Sequence, residues 1–390
     1  MKDTDSIKKI LLFGIPVSIC NFKCHYCYLA QRKVSFQGLH PELKYSPEEF
    51  KTAMSAERIG GLAYANFCAD GETLLVKDID QYVKAFVEQG HYAEVVTNLS
   101  VTQVLDRFLS WDRELLSRLE FKCSFHYLEL KKKGLLDTFA SNVKHIWQAG
   151  ASATIEITPS DELIPYIEEV MAFSKKHFGA LPHLTIARND RTETIDYLTQ
   201  LSMEEYDRTW SQFDSNLWSF KKTIFGVKQH NFCYAGAWSL YINLCSGEAR
   251  ACYYGGSLGD VFADPTKPLP EKPIGKCPIA HCYNGHAFLT FGLIPNATNV
   301  RYADVRNRIC SDGREWLQPP IKAFFGTQLI EQNRPYSSVE QFVYRFFCGT
   351  KKKTLLKKTT ETIIQGAKHT MRGMLGDSRY ERIKEFVRKK

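Results

Sequence analysis

The chain has 390 residues, enough for two domains or one large barrel with an appendage, and an apolar fraction of 44% that is ordinary for a globular protein. No run approaches the roughly 18 consecutive apolar residues of a membrane span, and the start carries no small-residue cleavage site, so the protein is expected in the cytoplasm. The net charge of +8 sits at one end, because residues 351–390 hold thirteen Lys and Arg against four Asp and Glu; with the remainder near neutral, no nucleic-acid partner is expected.

Apolar runs at 10–19, 62–67, 93–97, 119–125, 153–157 and 183–187 predict six strands. Helical patterns lie between them. Ser46-Pro47-Glu48-Glu49 is a capping box with proline at the first helical position, and Ile79, Val83, Phe86 and Val87 then recur at helical spacing, as do Phe139, Val143, Ile146 and Trp147. Six strand-helix units predict an α/β fold, a partial (β/α)6 TIM-like barrel over 1–200 with its chemistry at the C-terminal strand ends. A helical bridge is expected over 201–230, opening on the capping box Ser202–Glu205. A small cysteine-rich module follows over 231–295, with two short strands about the Ser246-Gly247 turn. The last segment, 296–390, is expected to be a helical, basic extension.

Twelve cysteines in a large cytoplasmic chain suggest metal or catalysis rather than disulfides. Cys20, Cys24 and Cys27 form a C-x3-C-x2-C triplet directly after the first strand, with Tyr26 before the last cysteine. Iron-sulfur clusters are normally closed by four cysteines, so three on one loop suit a four-iron cluster whose fourth iron binds something exchangeable. A structural zinc knot is the alternative. The triplet resembles the signature of the radical S-adenosylmethionine (radical SAM) superfamily. That resemblance implies a [4Fe-4S] cluster on these cysteines, SAM on its open iron, and a 5'-deoxyadenosyl radical formed by one-electron cleavage.

Further residues agree with the resemblance. Cys68-Ala69-Asp70-Gly71-Glu72-Thr73 follows the second strand and is similar to the glycine-glycine-glutamate motif that meets the SAM amino group, with Asp70 where the first glycine usually lies. Gly71 and Glu72 are therefore expected at SAM. In the family the next strand ends line the ribose and substrate, which implies Asn98 and Ser124 at ribose hydroxyls, His126 and Glu156 as acid or base groups, and Arg188 at a carboxylate. Cys233, Cys252, Cys277 and Cys282, with Gly247 between the first two, resemble a shortened SPASM appendage, the twitch, which implies one auxiliary [4Fe-4S] cluster; zinc suits the same four thiolates. Cys245 is a candidate hydrogen-atom donor or an ordinary buried thiol.

The resemblance covers about residues 10–290 and implies an oxidoreductase or epimerase-type enzyme that abstracts hydrogen from an unactivated carbon. Its electron would come from an external donor such as flavodoxin or ferredoxin. The first strand begins near residue 10, leaving no room for the leader-binding domain common in peptide-modifying relatives, which favours a small molecule or glycan. A radical SAM peptide maturase, a non-catalytic iron-sulfur electron carrier and a zinc-stabilised scaffold are the alternatives. In the tail, Leu356, Ile363, Ile364, Met371, Met374 and Leu375 among lysines suggest a peripheral contact with an anionic membrane, or helices packed on the barrel.

Overall fold

Strict alternation builds the central strands. In Leu119-Glu120-Phe121-Lys122-Cys123-Ser124 the residues Leu119, Phe121 and Cys123 are wholly buried on one face, while Glu120, Lys122 and Ser124 share the other. Six such strands, β1 (Ile7–Ile15), β2 (Leu62–Ala69), β3 (Tyr92–Thr97), β4 (Leu119–Ser124), β5 (Ser152–Ile157) and β6 (His183–Leu184), are parallel neighbours in chain order. Helices connect them, giving a mixed α/β fold with the strand order of an open (β/α)6 barrel. The computed structural model describes residues 5–31, 42–191, 195–348 and 376–388.

The helices cover the apolar face. At Pro47–Ala53 the Ser46 hydroxyl accepts from the Glu49 N–H and the Glu49 carboxylate accepts from the Ser46 N–H, as the capping box requires. Phe50 of that helix packs its ring against Phe13 and Phe67, and Phe86 of the helix Ile79–Val87 joins them. The same reciprocal cap opens Met203–Trp210 at Ser202 and Glu205. The first strand spans Ile7–Ile15 rather than 10–19, because Pro16 lacks the N–H that would continue the ladder.

Beyond β1 the sheet continues with β9 (Ser239–Asn243), β10 (Glu248–Arg250) and β11 (Ser257–Asp260); two further short strands, β7 (Arg188–Asn189) and β8 (Asp196–Tyr197), pair with each other. The β9–β10 hairpin turns at Gly247, whose φ of 77° suits glycine. β9 runs parallel to β1, from Ile10↔Ser239 to Gly14↔Asn243. The cysteine-rich segment therefore prolongs the barrel's own sheet. Gly14 permits this, since a Cβ there would meet the Tyr241 hydroxyl at 2.1 Å.

The described chain divides into two compact units, Met1–Pro335 and Tyr336–Lys390. Residues 296–335, read from sequence as part of the extension, belong to the first. The helix Tyr302–Arg306 supplies a fully buried Arg306 and Tyr302 to the barrel interior, and Trp316 is likewise enclosed. The second unit contains the helices Ser338–Cys348 and Asp377–Arg388. The tail's proposed apolar positions from Leu356 to Leu375 lie outside the described residues. Among the described residues no helix is long and apolar enough to cross a membrane.

Candidate active site

The loop after β1 is held down at several points. Phe22 is buried, the Asn21 amide donates to Ser100 and accepts from Asn98, and the Lys23 N–H donates to Glu129. Gly71 lies against this loop: a Cβ there would sit 1.9 Å from the Ile19 carbonyl oxygen, which accepts the Glu72 N–H at 2.8 Å. Glycine is needed at 71 because two backbones touch.

Cys20, Cys24 and Cys27 face a cavity of about 610 Å³ that opens at the C-terminal ends of β1 to β6. Burial pushes the Cys20 thiol up to about 11 and the Cys24 thiol up to about 12. Thiolate, the ligating form, therefore needs a compensating cation in this pocket. A donor set of three thiols on one loop fits iron-sulfur ligation. Among the described residues no three Cys, His, Asp or Glu groups close around a single ion.

The remaining expected site residues separate into those facing the cavity and those turned away. Tyr26, Gly71, Ser124, His126, Glu156 and Arg188 line it. The Tyr26 hydroxyl and His126 Nδ1 are 2.7 Å apart, and burial pushes the His126 imidazole down to about 4. Arg188 pairs with Asp190 at 3.1 Å and lies 4.1 Å from the Tyr28 ring centroid.

Glu72, Asn98 and Cys245 do not line the cavity. The Glu72 carboxylate, 2% exposed, accepts from the Leu74 N–H at 3.0 Å, the Asn98 N–H at 2.7 Å and the Thr97 hydroxyl. These bonds tie the β2 and β3 ends together. Asn98 is buried, with its side chain bonded to Asn21 and Ser100, so it braces the cysteine loop. Cys245 packs in the apolar core, near Tyr82, with its thiol pushed up to about 11 by burial.

Glu156 reaches the cavity but is not free to exchange a proton. Burial alone would raise it, yet Lys122, Arg306 and Lys221 together hold it well below the usual carboxylate range. Lys122 Nζ lies 3.3 Å and Lys221 Nζ 3.9 Å from its oxygens, and Arg306 donates directly to it. Glu156 thus stands at the cavity wall as a carboxylate shared by three cations.

The thiols of the second cysteine set lie in one neighbourhood. Cys282 feels the charges of Cys252, Cys233 and Cys277, and the N–H and carbonyl of Cys233 bridge to Gly275. As donor types four thiols suit iron-sulfur or zinc, but among the described residues they do not close around a single ion. Cys252 is followed by Tyr253 and Tyr254, and Cys282 by Tyr283, all three in the cavity wall.

Sequence reasoning missed Lys122, Lys221, Thr185, Tyr241 and His286, all cavity-lining. For Lys122 the signal was present: it stands between Glu120 and Ser124 on the polar face of an alternating strand. Lys221 carries none, because the helix Asn216–Ile224 reaches the barrel only through folding.

No family model matches the chain and no curated protein matches it in sequence. Among solved structures it is similar to Streptococcus suis SuiB bound to S-adenosylmethionine, with 13% identity over 66% of this chain and a TM-score of 0.45. It is also similar to native anSMEcpe with bound AdoMet, with 14% identity, 67% of this chain and 80% of that one, and a TM-score of 0.47. BtrN in complex with AdoMet and 2-DOIA matches 67% of this chain and 84% of its own at 14% identity, with a TM-score of 0.34. The chain spans 64% of the SuiB chain it matches.

Proposed function

We propose that this protein is a radical SAM enzyme with an auxiliary cluster. The observation that carries the proposal is the C-x3-C-x2-C loop, whose three thiols face a large cavity at the C-terminal strand ends. When bound, the cluster and SAM supply a 5'-deoxyadenosyl radical that removes a hydrogen atom from an unactivated carbon. The chain's part is to hold and orient. Cys20, Cys24 and Cys27 would hold the cluster, Gly71 lets their loop pack closely, and Tyr26, Ser124 and Arg188 would receive SAM.

The substrate reading is a sugar or glycan-type small molecule that is oxidised or epimerised. It is supported by the cavity wall, where Tyr28, Tyr241, Tyr253, Tyr254 and Tyr283 offer ring faces and hydroxyls together. Cys233, Cys252, Cys277 and Cys282 would hold the auxiliary [4Fe-4S] cluster behind that wall, and flavodoxin or ferredoxin would supply electrons. The test is anaerobic reconstitution, reduction with dithionite and assay for 5'-deoxyadenosine from SAM. Iron loading without that product would favour an electron carrier, and zinc in place of iron a scaffold.

A further inference from the structure

Where β4, β5 and the helix Asn216–Ile224 meet, two ammonium groups reach the cavity. Lys122 and Lys221 both line it and are each 14% exposed. The single Glu156 carboxylate meets both ammonium groups as well as Arg306. Glu94 lies 4.0 Å from Lys122 and also takes the Tyr302 hydroxyl. Glu120 is taken by Arg306, whose Nε–H and a terminal N–H donate to it at 3.2 and 2.8 Å, so it meets neither ammonium. Of its three N–H donors, Lys221 gives one to Thr185 at 2.6 Å, and its ion contact at 3.9 Å is too long for a hydrogen bond. A desolvated ammonium with donors to spare is costly until an anion meets it.

We propose that Lys122 and Lys221 seat an anionic group, phosphate or carboxylate, of the substrate in this cavity. The proposal rests on reading this cavity as the reaction chamber and adds the charge class of what enters it. Arg188 lies over the Tyr28 ring and pairs with Asp190 at 3.1 Å. Facing Lys221 are Glu156 from β5, Lys122 from β4, Arg306, Arg188 and His286, of which only Glu156 is negative. Burial, followed by those cations, pushes Lys221 down to about 7 despite Glu156, and an incoming anion would restore its proton.

The test titrates the full chain with inorganic phosphate and, separately, malonate by calorimetry, with and without SAM. Saturable binding of either probe is expected, weakened about tenfold or more in Lys221→Met and in Lys122→Met, as for loss of a charge-assisted bond. SAM affinity should stay within about twofold. Phosphate alone would name a phosphorylated substrate, and malonate alone a carboxylate. Binding of neither probe, or equal binding by both variants, overturns the proposal. So does a tenfold loss of SAM affinity in Lys221→Met, which would make this the SAM carboxylate's seat. Should Lys221→Met not fold, Lys122→Met and the charge-retaining Lys221→Arg carry the comparison. Intact probe binding in a chain that fails to cleave SAM would reject the enzyme reading and leave the anion site standing.

Discussion

Glu72 is the residue where chemistry and position part most clearly. A carboxylate beside a glycine after β2 suits an ammonium ligand, yet here it accepts from two backbone N–H groups and the Thr97 hydroxyl. Glu72→Gln replaces one acceptor oxygen by a donor that faces another donor. Urea unfolding should report a loss of about 1 to 3 kcal/mol. An unchanged stability with weakened SAM binding would return Glu72 to the ligand. The cysteine triplet makes the opposite claim, of direct ligation. Reconstituted protein should hold about eight irons, and changing Cys20, Cys24 and Cys27 to Ala should leave about four while abolishing 5'-deoxyadenosine, by the stoichiometry of four-iron clusters. Loss of all iron would show that the two sites do not load independently.

Among the elements, the β1–β2 pair and the loop above it depend on one missing methyl group. Gly71→Ala puts a Cβ 1.9 Å from the Ile19 carbonyl oxygen, and neither backbone has a rotamer with which to escape. The loop must lift. Iron at the first site should fall by at least half while circular dichroism stays that of the native chain; full loading would show that the close packing is dispensable. The docking of β9 on β1 is likewise a backbone event, paid for at Gly14 by the Tyr241 ring. It brings Tyr241 to the cavity.

Over the whole molecule, buried neutral histidines set the response to acid. His91 Nδ1 accepts from the Ala63 N–H, leaving Nε2–H to donate to the Met54 carbonyl, and burial pushes its imidazole down to about 4. The unfolded chain takes up this proton near the usual value of 6.5 while the folded chain does not. Stability is therefore full above about pH 6.5 and is lost as pH falls towards 4, by about 3 kcal/mol from His91 alone. Unfolding curves at pH 7 and pH 5 check this, and equal stability at both would mean that His91 protonates in place. His126, down to about 4, adds in the same direction.

Much of the fold was legible in the sequence because it rests on local rules. Six parallel strands, the caps at Ser46 and Ser202, and the hairpin at Gly247 follow from periodicity and from residues whose side chains act within one turn. The cysteine triplet was legible too, since its spacing lies within eight residues of one loop. What only the tertiary structure decided is where side chains point once the sheet closes. Glu156, Asn98 and Cys245 looked alike as polar residues near strand ends, but three cations fix the first, Asn21 and Ser100 engage the second, and the apolar core takes the third. Lys221 and Arg306 come from helices 65 and 150 residues beyond Glu156, and no local pattern records that they will meet it. Charge balance in a buried cavity is a sum over distant segments, and that sum exists only in the folded chain.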